Sequence, residues 1–186
     1  FYPEYFEKNF VFNDLTHKSA LIGIRIEGPT NSVDQRVVRL CKELNLLRDE
    51  YSILEHEQSS IFWNKTKNLE VFSNSKGNLL RGVVPMSETV NMIQKLKAYD
   101  INYFLDWGGS LIWLQIENLN LKILKEIKDI MQKHSGYFTI IKIEEDLKAS
   151  ADIFTIDPIK YKISEKIKKS FDPKRIFNPG KMYSGI

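Results

Sequence analysis

The sequence holds a single cysteine, Cys41, among 186 residues. That excludes an intramolecular disulfide and any multi-cysteine metal site. The three histidines, His17, His56 and His134, stand far apart and share no ligand spacing, so no metal is expected. Six prolines and nine glycines argue against long disordered linkers. No apolar run approaches the ~18 residues of a membrane span, and no stretch near the start reads as a signal peptide. Charge of one sign is scarce too: 27 basic residues face 24 acidic ones. That balance does not by itself imply nucleic acid or acidic lipid. Glycine-rich phosphate loops of the Walker or dinucleotide type are missing, and no serine sits in a nucleophile elbow. The acidic pairs Glu144-Glu145 and Asp14/Glu27 have no partner that would separate their pKa values, so they read as solvated loop charges.

What is present is ordinary globular material, 42% hydrophobic and 27% charged, enough for one compact domain or two small ones. The chain begins at Phe1 rather than Met, as expected of a fragment or a processed product. Residues 1–19 are aromatic and suit an extended entry segment. Alternation over Ala20–Gly28, with Ile22, Ile24 and Ile26 on one side, predicts a half-buried strand. Ser32 with Gln35 fits a capping box before a helix carrying Val33, Val37, Leu40, Cys41 and Leu44. Cys41 is then a small residue on an apolar helix face. Tyr51–Glu55 suits a short strand, and residues 58–72 a helix with Ile61, Phe62, Leu69 and Phe72 inward. Leu79–Val84 reads as a strand. Ser87 reads as the N-cap of a helix with Val90, Ile93 and Leu96 on one stripe.

Tyr103–Trp107 and Ser110–Ile116 are β-rich runs separated by Gly108-Gly109, the composition of a tight hairpin. A two-residue turn would set Trp107 opposite Ser110 and Phe104 opposite Trp113. A helix over Leu121–Met131, a strand over Tyr137–Ile143 and a last helix with Ile159, Ile163, Ile167 and Phe171 complete the order β-α-β-α-β-α-β-β-α-β-α. The class predicted is α+β: a mainly antiparallel sheet with helices on one face, of ferredoxin-like character, followed by a C-terminal helix and a return tail.

The end of the chain is the richest segment. Residues Ile159 to Lys181 contain eight basic side chains and two acidic ones. Asp172-Pro173 closes the helix, and Pro179-Gly180 suits the centre of a type II turn. Ile176, Phe177, Met182 and Tyr183 give this tail more burial potential than a free terminus carries. A structured tail that docks on a surface is the physical expectation.

The run Phe171-Asp172-Pro173-Lys174-Arg175-Ile176-Phe177-Asn178-Pro179-Gly180-Lys181-Met182-Tyr183 resembles the closing motif of FAD-linked oxidases of the vanillyl-alcohol oxidase type. Phe62-Trp63, Leu80-Arg81 leading to Val84-Pro85, and Leu105-Asp106-Trp107-Gly108-Gly109 with Trp113-Leu114 are similar to the FAD-binding small subunit of bacterial glycolate oxidases. The resemblance covers about residues 58–186; residues 1–57 offer no signature.

That resemblance implies a cap-type α+β domain over residues 1–157. It also implies a helix and tail over 158–186 that dock on an FAD-binding domain outside this chain. It implies the C-terminal part of a flavoprotein subunit that oxidises glycolate or a related 2-hydroxy acid and passes electrons to an iron–sulfur partner. This fragment alone would be inactive, with FAD bound mainly elsewhere. A large flavin subunit and an iron–sulfur subunit are the implied partners. The implied place is the cytoplasm, at the inner membrane face through the complex. Asn178, Gly180 and Lys181 are expected near the flavin domain, and Arg81 and Trp107 facing the cleft. Arg81 is equally readable as a surface strand charge, and Trp107 as hairpin core. Catalytic residues do not carry over, because the histidines of the related large subunit have no counterpart here. Two other functions compete. One is a non-catalytic docking module of a multi-subunit oxidase. The other is an RNA-binding ferredoxin-like domain, which the missing RNP1 pattern and the balanced charge disfavour, so no nucleic-acid partner is expected.

Overall fold

A computed structural model of the chain describes residues 21–47, 51–72, 77–148, 150–155, 157–181, 183 and 186. The aromatic entry segment expected over residues 1–19 lies outside them. The chain divides into two compact units, residues 1–74 and 75–186.

Among its described residues, the first unit contains helix α1 (Thr30–Glu43), helix α2 (His56–Lys67) and a 3-10 turn, Glu70–Phe72. Both strands expected here are absent: residues 21–27 and 51–55 carry no regular structure, and Ile22 and Ile24 are exposed. Alternation alone does not make a strand, because a strand is stable only with a ladder partner. The Ser32–Gln35 capping box does not form either. Helix α1 starts three residues earlier, at Thr30, with Pro29 at the N-cap position and no side-chain cap. Its apolar stripe is real but shallow: Val33, Val37, Leu40 and Cys41 are half-buried. In α2, Phe62 is buried with its ring edge-on to Trp63 at 5.1 Å, whereas Ile61 points outward against expectation.

The second unit runs β1 (Asn78–Val83), α3 (Met86–Leu96), β2 (Ile101–Asp106), β3 (Leu111–Ile116), α4 (Leu121–Lys133), β4 (Tyr137–Lys142), the short α5 (Glu145–Lys148) and α6 (Pro158–Phe171). Every strand pair is antiparallel and the sheet order is β2-β3-β1-β4. This βαββαβ arrangement is ferredoxin-like, as the element order predicts.

Alternate strand residues point to opposite faces. On one face Leu80, Ile112, Leu114, Ile116, Phe138 and Ile140 meet Met92, Ile93 and Leu96 of α3 and Leu124, Ile127 and Met131 of α4. Val90, expected on the inner stripe of α3, is exposed, and Thr89 and Met92 are buried in its place. Helix α3 begins at Met86 after Pro85, and Ser87 does not cap it. Gly82 lets the helices approach the sheet, since a Cβ there would lie 2.6 Å from Met131 Cε and 2.8 Å from Ile112 Cγ2. Asn78 is fully buried; its Nδ2 donates to the Ile116 carbonyl at 3.2 Å and its Oδ1 accepts from the Glu144 N–H at 2.8 Å. Among the described residues, no helix is long and apolar enough to cross a membrane.

Candidate functional site

The sheet face away from α3 and α4 carries Leu79, Arg81 and Val83 of β1, Trp113 and Gln115 of β3, and Asn102, Phe104 and Asp106 of β2. The register sets Arg81 opposite Trp113, Trp113 opposite Phe104, and Asn102 opposite Gln115. Arg81 is half-buried. Its guanidinium lies 5.4 Å from the centroid of Trp107 and 5.8 Å from that of Trp113. Both are within cation–π range. Among the described residues no carboxylate pairs with Arg81.

Trp107 reaches Arg81 because the hairpin corner is not the expected two-residue turn. The expected register holds, but the strands stop one residue sooner on each side, leaving residues 107–110 as the corner. Trp107, Gly108 and Gly109 have φ values of 52°, 64° and 101°. A bulky residue in the left-handed region is strained, and local bonds hold it there. Asp106 Oδ1 accepts from the Trp107 N–H at 2.7 Å, the Ser110 hydroxyl donates to the Trp107 carbonyl at 3.1 Å, and the Thr89 hydroxyl of α3 donates to the Gly109 carbonyl at 2.8 Å. Trp107 is therefore neither hairpin core nor strand; its side chain is 60% exposed.

Next to Trp113 on the same face lies Gln115, which is buried. Its Oε1 accepts from Asn102 Nδ2 at 3.2 Å, and its Nε2 has no partner. A buried donor without an acceptor calls for an explanation. It lies beneath the surface, so the charged donor this face presents is Arg81. A half-buried guanidinium beside two indole rings suits a ligand that brings an acceptor group, such as a carboxylate. Trp113 and Gln115 were not legible as site residues, since only the β1–β3 pairing brings them beside Arg81.

The other expected site residues, Asn178, Gly180 and Lys181, form one turn in the tail. The Lys181 N–H donates to the Asn178 carbonyl at 3.3 Å and Gly180 has φ 68°, as the third position of a type II turn requires. A Cβ at Gly180 would meet nothing within 4 Å, so its backbone conformation, not crowding, calls for glycine. The Gly180 N–H donates to the Ile186 carbonyl at 2.7 Å. No hydrogen bond, ion pair or ring contact links these three residues to Arg81 or Trp107.

Asp172 holds the tail onto α6. It is buried and accepts from the N–H groups of Ile176 and Phe177, both at 2.9 Å, and from Lys168 Nζ at 2.7 Å. The Lys168 bond foremost, with the two N–H groups, holds its carboxyl down at about 2 against the opposing effect of burial. Further on, the Tyr183 ring packs against Phe154 and Tyr161 at 5.9 and 6.0 Å, and Ile186 is buried. Part of the tail's expected burial is thus met within the chain. Ile176 and Phe177 stay about two-thirds exposed, at 67% and 69%.

Among the described residues, no group of three or more His, Cys, Asp or Glu side chains could hold a metal ion. Compared with protein-family models and with curated proteins, the chain matches none.

Proposed function

We propose that this chain is the C-terminal, cap-type part of an FAD-dependent oxidoreductase subunit that oxidises glycolate or a related 2-hydroxy acid. The observation that carries the reading is Arg81. It is a half-buried guanidinium with no carboxylate partner among the described residues, lying over Trp107 and Trp113 on the open sheet face. A cation kept free of internal pairing on an aromatic surface is poised for an anionic or acceptor-rich ligand. The tail sequence, with its resemblance to flavoprotein oxidases, supplies the identity of the cofactor.

In this reading FAD, when bound, would supply a hydride acceptor and the link to an iron–sulfur partner. The residues of this chain bind and shield. Arg81 orients an acceptor group at the cleft, and Trp107 forms an apolar wall that excludes water. The turn of Asn178, Gly180 and Lys181, flanked by the exposed Ile176 and Phe177, meets the domain that holds most of the FAD.

The test is FAD retention by the natural gene product that contains this sequence. Removing residues 178–186 should increase flavin loss on gel filtration. Retention equal to that of the intact protein would remove the tail from the cofactor's surroundings.

A further inference from the structure

Three successive residues of the β2–β3 corner, Trp107, Gly108 and Gly109, hold positive φ. Glycine takes such angles freely, whereas a residue bearing an indole does not. Trp107 stays at φ 52° only because its surroundings over-determine it. Part of that constraint comes from the corner itself. Asp106 Oδ1 accepts from the Trp107 N–H at 2.7 Å, and the Trp107 carbonyl accepts from the Ser110 hydroxyl at 3.1 Å and the Ser110 N–H at 3.3 Å. These partners are close in sequence, and Asp106 is exposed, so water competes for its bond.

Thr89 of α3 is a partner of another kind. It is buried, and its hydroxyl donates to the Gly109 carbonyl at 2.8 Å. A threonine inside a helix ordinarily returns its hydroxyl to the carbonyl four residues back. Here that carbonyl, on Pro85, is 3.4 Å away, and the single hydroxyl proton goes to the nearer oxygen. One turn earlier on α3, Met86 backs the neighbouring glycine: a Cβ at Gly108 would lie 3.2 Å from its Sδ. Helix α3 is itself seated in the core through Met92, Ile93 and Leu96. Thr89 thus ties the corner to the packed part of the unit. We propose that Thr89 is a positioning residue for ligand recognition at Arg81. Its bond to Gly109 holds the corner in the conformation that brings the Trp107 ring centroid to 5.4 Å from the guanidinium.

The inference rests on the reading of Arg81 as the group that meets the ligand, and it names what sets that group's aromatic surroundings. Trp113 is fixed by its place in β3, opposite Arg81, whatever the corner does. Trp107 lies beyond the end of the β2–β3 ladder, which stops at Asp106 and Leu111. Without the Thr89 hydroxyl, the Gly109 carbonyl loses its donor from α3. Trp107 can then leave the left-handed region for an ordinary backbone angle, and the indole swings away from Arg81. The guanidinium keeps one ring in place of two. A ligand's carboxylate then meets a cation that is better hydrated and less fixed in direction.

The experiment is nuclear magnetic resonance of the full chain without flavin or ligand, reading the ring-current shift of the Arg81 side-chain protons. Trp107→Ala defines the part of that shift that Trp107 contributes. Thr89→Val keeps the side-chain shape and removes the donor, so it should lose most of that part. Thr89→Ser keeps the hydroxyl and should retain it. Thr89→Ala, which a helix accepts readily, repeats the comparison if the valine variant does not fold. Glycolate is then titrated against tryptophan fluorescence. Its binding should weaken about two- to fivefold in the valine or alanine variant, the worth of one cation–π contact, and recover in the serine variant. The proposal is overturned if the variants without the hydroxyl keep the parent shift. It is also overturned if they lose the shift and bind glycolate as the parent does, since the bond would then serve the corner alone. A parent that shows the shift and gives no response to glycolate would sink the substrate reading, and the shift comparison would still decide whether Thr89 positions Trp107.

Discussion

The Arg81 guanidinium lies 5.4 Å from the ring centroid of Trp107, a residue that holds φ at 52° to be there. Strand β1 supplies the cation and the β2–β3 corner supplies the ring, so the contact joins two elements separated by α3 in sequence. Trp113, opposite Arg81 in the sheet, adds a second ring. A double-mutant cycle of Arg81→Ala with Trp107→Ala, read by chemical denaturation, should return a coupling of about 0.5–1 kcal/mol. Additive effects would show that the two side chains do not interact.

Arg81→Lys should not restore that coupling in full, nor ligand binding at the same site. An ammonium lacks the planar face that stacks on a ring and the fork that meets a carboxylate. Tryptophan fluorescence under titration with small 2-hydroxy acids and with FAD reads both properties. Equal responses from the parent and the lysine variant would remove the guanidinium from recognition.

Gly82 tests the packing of the sheet on its helices. Gly82→Ala would place a methyl 2.6 Å from Met131 Cε and 2.8 Å from Ile112 Cγ2, both on fully buried side chains. The methionine tip can yield, but the isoleucine branch is fixed close to the backbone. The expected cost is about 1–3 kcal/mol in thermal or urea unfolding. An unchanged midpoint would mean that the sheet and helices are farther apart.

Asn120 caps α4, its Oδ1 accepting from the Ile123 N–H at 2.9 Å. Asn120→Ala should cost about 1 kcal/mol. Asn120→Asp should keep most of the stability, because a carboxylate accepts the same bond and faces the positive end of the helix.

Asp172 gives the tail a pH dependence. Its carboxyl is lowered from 3.8 to about 2. A group lowered on folding stabilises the folded form fully above its ordinary pKa, and that contribution disappears as pH falls through the folded value. Order in the tail should therefore hold at neutral pH and be lost between about pH 4 and pH 2. Amide exchange at Ile176 and Phe177 reports it directly, since both N–H groups donate to this carboxylate. Asp172→Asn should show fast exchange at both positions even at neutral pH.

The sheet was legible where chemistry is local. The glycine pair and the flanking aromatic runs announce the β2–β3 hairpin and its register, and the periodicity of Leu124, Ile127 and Met131 announces the inner face of α4. Failures came where a local pattern had no partner. Ile22, Ile24 and Ile26 alternate like a strand but join no ladder among the described residues. The row Ile159, Ile163 and Ile167 announces helix α6, yet no residue of that helix is buried. For the candidate site, Arg81 and Trp107 could be named from sequence, but what unites them could not. The unpaired Gln115 Nε2 and the Trp113 ring come beside Arg81 only through pairing between strands about thirty residues apart. Asn178, Gly180 and Lys181 were legible as a turn because Pro-Gly chemistry is local.

The central claim is that this chain caps a flavin, and the most direct measurement is the visible absorbance spectrum of the natural gene product that contains it. The account predicts a yellow protein with bound FAD, whose flavin bleaches on addition of a 2-hydroxy acid and whose Arg81→Ala variant responds more weakly to the acid. A product that purifies colourless and stays colourless after incubation with FAD would contradict it.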